Sequence, residues 1–455
     1  METWDENPFY WTRRGRPVLL LGGSDEDNLF NHPHLGGNLD ILKVCGGNYV
    51  RCTMSSRDEG NVEPYAKTGD QYDLNRFNPE YWSRFEKFLK LARERDVIVQ
   101  IELWATYDYY QRNWARNPFN PALNVNYGTE TTRLVPEWDF SQQRKWGINP
   151  FFYSPPALNH DRVLLRYQQA FVKRILDISQ EYDNVLYCVD NETRAMPDWA
   201  WFWAEFVLDE GRRRGRRFQV TEMWDDWDLR DSENLATCVR PDLFSFVEVS
   251  QNNWQADQTH YDQLLWMRER LLGSQAGARP MNNVKVYGAP RPGLDAEAGL
   301  NIDRFWKNIF AGCASARFHR PSGTYMGGIG LNETAQGAIG AARTFTDAFD
   351  IFGSSPRPDL LREREEDEAY CLANPGRVYA LYFPSGGEIV LDAEGGPYTQ
   401  RWFDPETASF HRSEPVGSGS IRLATPDTSQ IWLALLRPER ESLVREERQR
   451  DRGTI

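Results

Sequence analysis

The sequence predicts an α/β protein, a (β/α)8 barrel of the TIM type followed by a small antiparallel β-sandwich. Three observations predict it. Short apolar runs rich in β-branched residues alternate with longer segments of helical period between residues 17 and 349. Eight such runs can be counted, which suits a closed barrel better than an open sheet. Beyond residue 355 the pattern turns to short alternating runs separated by Gly and Pro turns.

The strands are expected at 17–22, 48–54, 97–103, 185–189, 218–221, 244–249, 284–287 and 314–318. Helical patterns fall at 79–94, 161–182, 197–213, 257–272, 302–313 and 332–349, the last opening on a plausible Asn cap. The longest connection, 106–159, follows the third strand and is dense in Asn, Trp, Tyr and Pro; a loop of that length is usually functional. Neither GxGxxG nor GxxxxGK[ST] follows the first strand, which argues against a dinucleotide or P-loop fold. The division expected is a barrel over 1–355, a sandwich over 356–437 and a charged tail over 438–455.

Composition narrows the function. A net charge of -13 disfavours nucleic acid as a partner. No run approaches the roughly 20 apolar residues that cross a bilayer. The N-terminus as written has no basic and apolar leader, so the chain reads as cytoplasmic, or as secreted or periplasmic if trimmed. The six cysteines form no CxxC pair and no His stands at ligand spacing beside them, so they read as structural thiols, with neither metal nor cofactor expected. Aromatic residues make up 13% of the chain, many beside polar loop residues, as in Trp104-Ala-Thr-Tyr107 and Trp224-Asp-Asp-Trp227. Indole and phenol faces stack on the C–H faces of sugars while carboxylates and amides bond their hydroxyls.

Glycosidic hydrolysis needs two carboxyl groups, one to protonate the leaving oxygen and one to attack or activate water. In a barrel such groups sit where strands end. The fourth run ends Asp190-Asn191-Glu192, the fifth ends Glu222-Met-Trp224-Asp225, and the sixth carries Glu248. Glu192 is expected as general acid/base and Glu248 as its partner, ahead of Glu222 and Asp225. Asp190, Asn191, Trp104, Trp224 and Asp225 are expected to bind substrate. Glu102, inside the third run, reads as an ion pair with a basic strand residue such as Arg51 or Arg317. His319 and Arg320 after the eighth run, with Arg291 after the seventh, suit an anionic sugar such as a uronate; Arg320 equally suits neutralising nearby acids.

An Asn-Glu pair ending the fourth strand resembles the acid/base motif of clan A retaining glycoside hydrolases. The opening segment from Phe9 to Gly23, then Asn28-Leu-Phe30, is similar to the start of the apiosidase-like barrel family. Phe305-Trp-Lys-Asn-Ile-Phe-Ala-Gly-Cys-Ala-Ser315 is similar to that family's helix leading into the last strand. Tyr370-Cys-Leu-Ala-Asn-Pro-Gly-Arg-Val-Tyr379 and Arg401-Trp-Phe-Asp-Pro405 resemble its C-terminal sandwich, a domain often labelled collagen-binding. The resemblance implies a hydrolase acting on an oligo- or polysaccharide, with the sandwich supporting the barrel. It also implies a nucleophilic Glu ending the seventh strand, yet that stretch reads Val284-Lys-Val-Tyr-Gly-Ala-Pro-Arg-Pro-Gly293, with Asp295 and Glu297 only later. Three explanations follow: the nucleophile has moved to another strand, Asp295 or Glu297 reaches back, or hydrolysis is lost. The rivals to hydrolysis are a non-catalytic carbohydrate-binding barrel and a polysaccharide lyase using His319 or a Tyr as base.

Overall fold

The computed structural model describes residues 1–138, 148–273, 277–289, 299–321 and 327–439. Six parallel strands run in the order fifth (Val220–Thr221), fourth (Val185–Asn191), third (Ile98–Ala105), second (Tyr49–Thr53), first (Leu20–Gly23) and eighth (Ser315–Phe318). The sixth (Val247–Glu248) pairs in parallel with the seventh (Met281–Asn282). Ser245 N–H donates to the Val220 carbonyl at 3.0 Å and Ala314 N–H to that of Met281 at 2.8 Å, so the sheet closes on itself. The expected barrel is present.

Two strands differ from expectation. The first run splits: Arg16–Val18 pairs with Trp11–Arg13 in a hairpin, and only Leu20–Gly23 enters the barrel. The seventh strand's ladder lies earlier than 284–287, and Val286 makes only a single bridge to Phe318. Polar side chains replace the ladder there. Asn283 Oδ1 accepts from Lys285 N–H at 3.1 Å, Ser250 Oγ accepts from Val284 N–H at 2.7 Å, and Arg317 donates to the Val284 carbonyl at 2.7 Å. A backbone group bonded to a side chain is lost to the sheet.

The outer helices follow their apolar stripes. Arg162–Ser179 is capped by Asp161, which accepts from Leu164 N–H, and buries Leu164, Leu165, Phe171, Val172, Ile175 and Leu176 on one face. Asn78 with Pro79 starts Pro79–Glu94, and Asn332 starts Glu333–Thr346. Three helices among the described residues went unread: Leu35–Val44, which opens on Leu35-Gly-Gly, the four-residue Gln111–Trp114 and the seven-residue Ser232–Cys238.

Trp11 closes the bottom of the barrel. It is fully buried with Leu20, Tyr49, Ile98, Leu186, Phe246 and Val284. Its indole N–H begins a hydrogen-bonded chain up the barrel: to Asn282 Oδ1 at 3.0 Å, from Asn282 to Tyr49 Oη at 3.0 Å, from Tyr49 to Gln100 at 2.6 Å, and from Gln100 to Glu248 at 2.9 Å.

After the barrel, Tyr370–Asn374, Val378–Phe383, Trp432–Pro438 and Tyr398–Asp404 form an antiparallel sheet. It faces a smaller one of Leu361–Arg362, Glu388–Ala393 and Gly419–Ala424 across Tyr379, Leu381, Ile389, Leu391 and Leu423. Tyr382 packs on Phe310 (5.6 Å) and donates to Asp303 at 2.8 Å, while buried Lys307 joins Asp303 to Asp367. The sandwich is thereby fastened to the last helices of the barrel. All six cysteines are free, five of them buried. Most of the tail expected at 438–455 lies outside the described residues, and no helix among those described is long and apolar enough to cross a membrane.

Replacing Trp11 by Ala removes the barrel's floor and strands one hydrogen-bond chain; a loss of about 3–5 kcal/mol in unfolding free energy is expected. Denaturant melts measure it, and a change below about 1 kcal/mol would show that the floor carries no stability.

Candidate active site at the barrel mouth

The fourth strand ends in a turn at Glu192, whose φ of 61° is left-handed. A non-glycine residue there is held by its surroundings at a cost of about 1–2 kcal/mol. The surroundings are the next loop: Thr193 N–H donates to Met223 and Asp225 N–H to Thr193, both at 2.9 Å. The following helix starts only at Pro197, so neither Asn191 nor Thr193 serves as its cap.

Glu192 Oε1 accepts from Lys285 Nζ at 2.5 Å and Gln251 Nε2 at 2.9 Å, with Tyr287 Oη 3.5 Å away. The lysine is 1% exposed and the glutamate 25%. Burial pushes the Glu192 carboxyl up, but the Lys285 ammonium, the bonds from Lys285 and Gln251, and the charge of Arg51 bring it down to about 2. It is therefore a carboxylate at neutral pH. Trp254 donates its indole N–H to Gln251 Oε1 at 3.2 Å and leans on Tyr287, whose ring meets His319 edge-on at 4.7 Å.

Asp225 stands beside this cluster, 25% exposed and in contact with Arg194. Burial and the Glu192 charge push its carboxyl up to about 7 against the pull of Arg194. The two half-exposed acids at neighbouring strand ends thus sit in opposite protonation states near pH 6.

The other strand-end acids are enclosed. Glu248 is 3% exposed; Ser250 holds one oxygen and Gln100 the other, and burial raises it to about 7. Both oxygens of Asp190 are held by Thr106, from N–H and Oγ1 at 3.0 Å each. Glu222 Oε1 accepts from Asp190 N–H at 3.1 Å and Met223 N–H at 2.9 Å. Burial pushes both carboxyls well above the ordinary range. These two acids tie the ends of the third, fourth and fifth strands together.

Asn191 accepts from Arg51 at 3.1 Å, and Arg51 also pairs with Glu102 at 2.7 Å, the partner expected for that glutamate. Trp104 is buried against Phe171 and Trp203, and Trp224 is buried with its indole bonded to Thr237. His319 is 5% exposed behind Tyr287, and burial holds its pKa well below the usual value. Arg320 contacts Asp27, Asp58 and Glu26, the neutralising arrangement weighed above. Arg291, Asp295 and Glu297 lie outside the described residues. Sequence reasoning missed Lys285, Gln251, Trp254 and Tyr287. The signal was in Val284-Lys-Val-Tyr287, where two polar side chains at alternate positions share a face; a search for acids alone passed over them.

One acidic trio among the described residues, Asp226, Asp231 and Glu233, has the spacing of a metal site; in it Asp226 accepts from Asp228 N–H in a turn and Asp231 caps the helix Ser232–Cys238.

No family model and no curated protein sequence matches this chain. Solved structures do match. A glycoside hydrolase of family 5 from Bacteroides vulgatus aligns over 96% of this chain and 93% of its own, with TM-score 0.66 and 12% identity. A second glycoside hydrolase aligns over 96% of both chains, with TM-score 0.64 and 10% identity. A family 5 mannosidase from Rhizomucor miehei covers 74% of this chain and 95% of its own, with TM-score 0.50 and 12% identity. The shared property is the fold: a (β/α)8 barrel, which with the first two extends through the C-terminal β-domain.

Lys285→Met should leave only Gln251 and Arg51 to oppose burial, raising the Glu192 carboxyl from about 2 toward its ordinary 4.5. A depressed carboxylate contributes stability above about pH 4.5 that fades as pH falls toward 2, so this acid-side loss is expected to shrink in the variant. Carbon-13 NMR titration of the Glu192 carboxyl measures it; a value still near 2 would remove Lys285 as the cause.

Proposed function

We propose that this chain is a glycoside hydrolase acting on an oligo- or polysaccharide, with Glu192 as its charged carboxylate and Asp225 as its proton donor. The observation that carries it is the pair itself: two acids at adjacent strand ends on the catalytic face of a barrel, both open to solvent. Asp225 gives its proton to the glycosidic oxygen as the bond to the anomeric carbon breaks. Glu192 either bonds to that carbon or takes a proton from the water that does. The opposite protonation states support this division.

This reading reverses the part expected for Glu192, because a carboxylate held by Lys285 is a poor proton donor. It gives Glu248 no direct part, since both its oxygens are engaged inside the barrel. The alignments with glycoside hydrolases support the chemistry at the level of fold. The apiosidase-like affinity, with its supporting sandwich, remains our reading of the motifs at Phe9–Gly23, Phe305–Ser315 and Tyr370–Tyr379.

A second reading has its own observation. Lys285 stands on the seventh-strand segment where clan A enzymes carry a nucleophilic Glu, and it neutralises Glu192. A barrel so altered binds sugar without cleaving it.

With Glu192 ionised above about pH 2 and Asp225 protonated below about 7, hydrolysis should be sustained in mild acid and fall as pH rises through 7. Asp225→Asn is expected to lose about 10²–10⁴-fold in kcat and to abolish that alkaline limb. Glu192→Gln should abolish turnover and lower the melting temperature, since it leaves the buried Lys285 ammonium without its anion. Reducing-end assays on an oligosaccharide panel measure these; binding with no product from the wild-type chain would favour the second reading.

A further inference from the structure

Nearly all the described aromatic side chains are covered. Among the described Phe, Trp and Tyr residues, only Tyr107 and Trp227 are exposed, at 50% and 51%. Both stand on loops leaving the C-terminal ends of barrel strands, the third and the fifth, on the face that holds Glu192. An indole left in water forgoes about 2 kcal/mol of burial. A large apolar side chain rimmed by polar groups marks a binding surface more often than chance.

Trp227 is joined to the site by a chain of contacts. Its backbone carbonyl accepts from Gln255 Nε2 at 3.4 Å. Gln255 ends the turn Ser250–Trp254, which presents Gln251 to Glu192 and leans half-buried Trp254 on Tyr287, ring centroids 4.9 Å apart. Exposure therefore grows outward from Glu192: Tyr287 is fully buried beside the carboxylate, Trp254 is half-buried against it, and Trp227 stands in solvent. The half-exposed Gln255 and Asp226 accompany them. Flat apolar faces interleaved with carboxamides and carboxylates match a ligand with C–H faces and hydroxyl edges.

We propose that Trp254 and Trp227 form a track for a linear chain of pyranose units, so that the substrate runs from Glu192 out over the fifth and sixth loops. The track rests on the hydrolase reading only for what is done to the chain; its binding is a separate claim. It also reassigns the segment Trp224-Asp-Asp-Trp227: Trp224 is core, and Trp227 is the residue that meets sugar.

The test uses the full chain carrying Glu192→Gln, with and without Trp227→Ala or Trp227→Phe. Calorimetry is run with β-1,4-linked gluco-, manno- and xylo-oligosaccharides of two to six units. In one series affinity is expected to rise with length. Trp227→Ala should weaken the six-unit ligand about tenfold and the two-unit ligand much less, and Trp227→Phe should restore most of it. Equal weakening at all lengths, no effect of Trp227→Ala, or no length dependence in any series would overturn the track; an aromatic patch that serves a protein partner gives this last result. Length-dependent binding by a wild-type chain that releases no product keeps the track and rejects hydrolysis. Cleavage with length-independent binding does the reverse.

Discussion

Lys285 and Glu192 meet at 2.5 Å where the fourth and seventh strands open into the barrel mouth, and the chemistry of the site depends on that contact. A lysine only 1% exposed has lost nearly all its water, and an ammonium so placed needs an anion to offset the desolvation. Glu192 is the anion that meets it, brought there by the left-handed turn that ends its strand. Gln251 adds a hydrogen bond to the same oxygen, and Tyr287 stands beside it. The seventh strand contributes by breaking: side chains of Asn283, Ser250 and Arg317 hold its backbone where a ladder would otherwise run.

The barrel sorts its other acids by what encloses them. Asp190 and Glu222 accept backbone and hydroxyl donors without a cation in hydrogen-bonding contact, and burial pushes both carboxyls well above the ordinary range. Glu248 ends the polar chain that climbs from Trp11 through Asn282, Tyr49 and Gln100. Glu102 is paired with Arg51, as its setting between apolar neighbours requires. Glu192 and Asp225 remain open to solvent. Their separation in protonation arises from unequal shares of positive charge: Glu192 has Lys285 at close range and Arg51 nearby, whereas Asp225 faces Arg194 and the Glu192 charge.

Much of the architecture was legible in the residues. Seven of the eight predicted runs contain a barrel strand, because a strand buried on both faces must be apolar nearly throughout; the seventh ladder lies just before its run, at Met281–Asn282. The helices with strong apolar stripes were read close to their ends, and Asn332 caps the last of them as expected. The helices missed were short or opened with paired glycines. The split of the first run was hidden because Arg16–Val18 and Leu20–Gly23 share one apolar stretch, and only pairing tells the hairpin from the barrel. Glu192 was legible from its place at a strand end; Trp104 and Trp224 were named for their polar neighbours, although both side chains turn into the core.

The sequence by itself determined the alternation of strands and helices, the change to a β-domain after residue 355 and the set of acids at strand ends, since these follow from local period and composition. Only the tertiary structure decided which acid is charged and which aromatic meets solvent. Lys285 is 93 positions from Glu192 in sequence, and Trp227 differs from Trp224 only in what surrounds it. Protonation and exposure belong to neighbours in space, and folding alone brings those neighbours together.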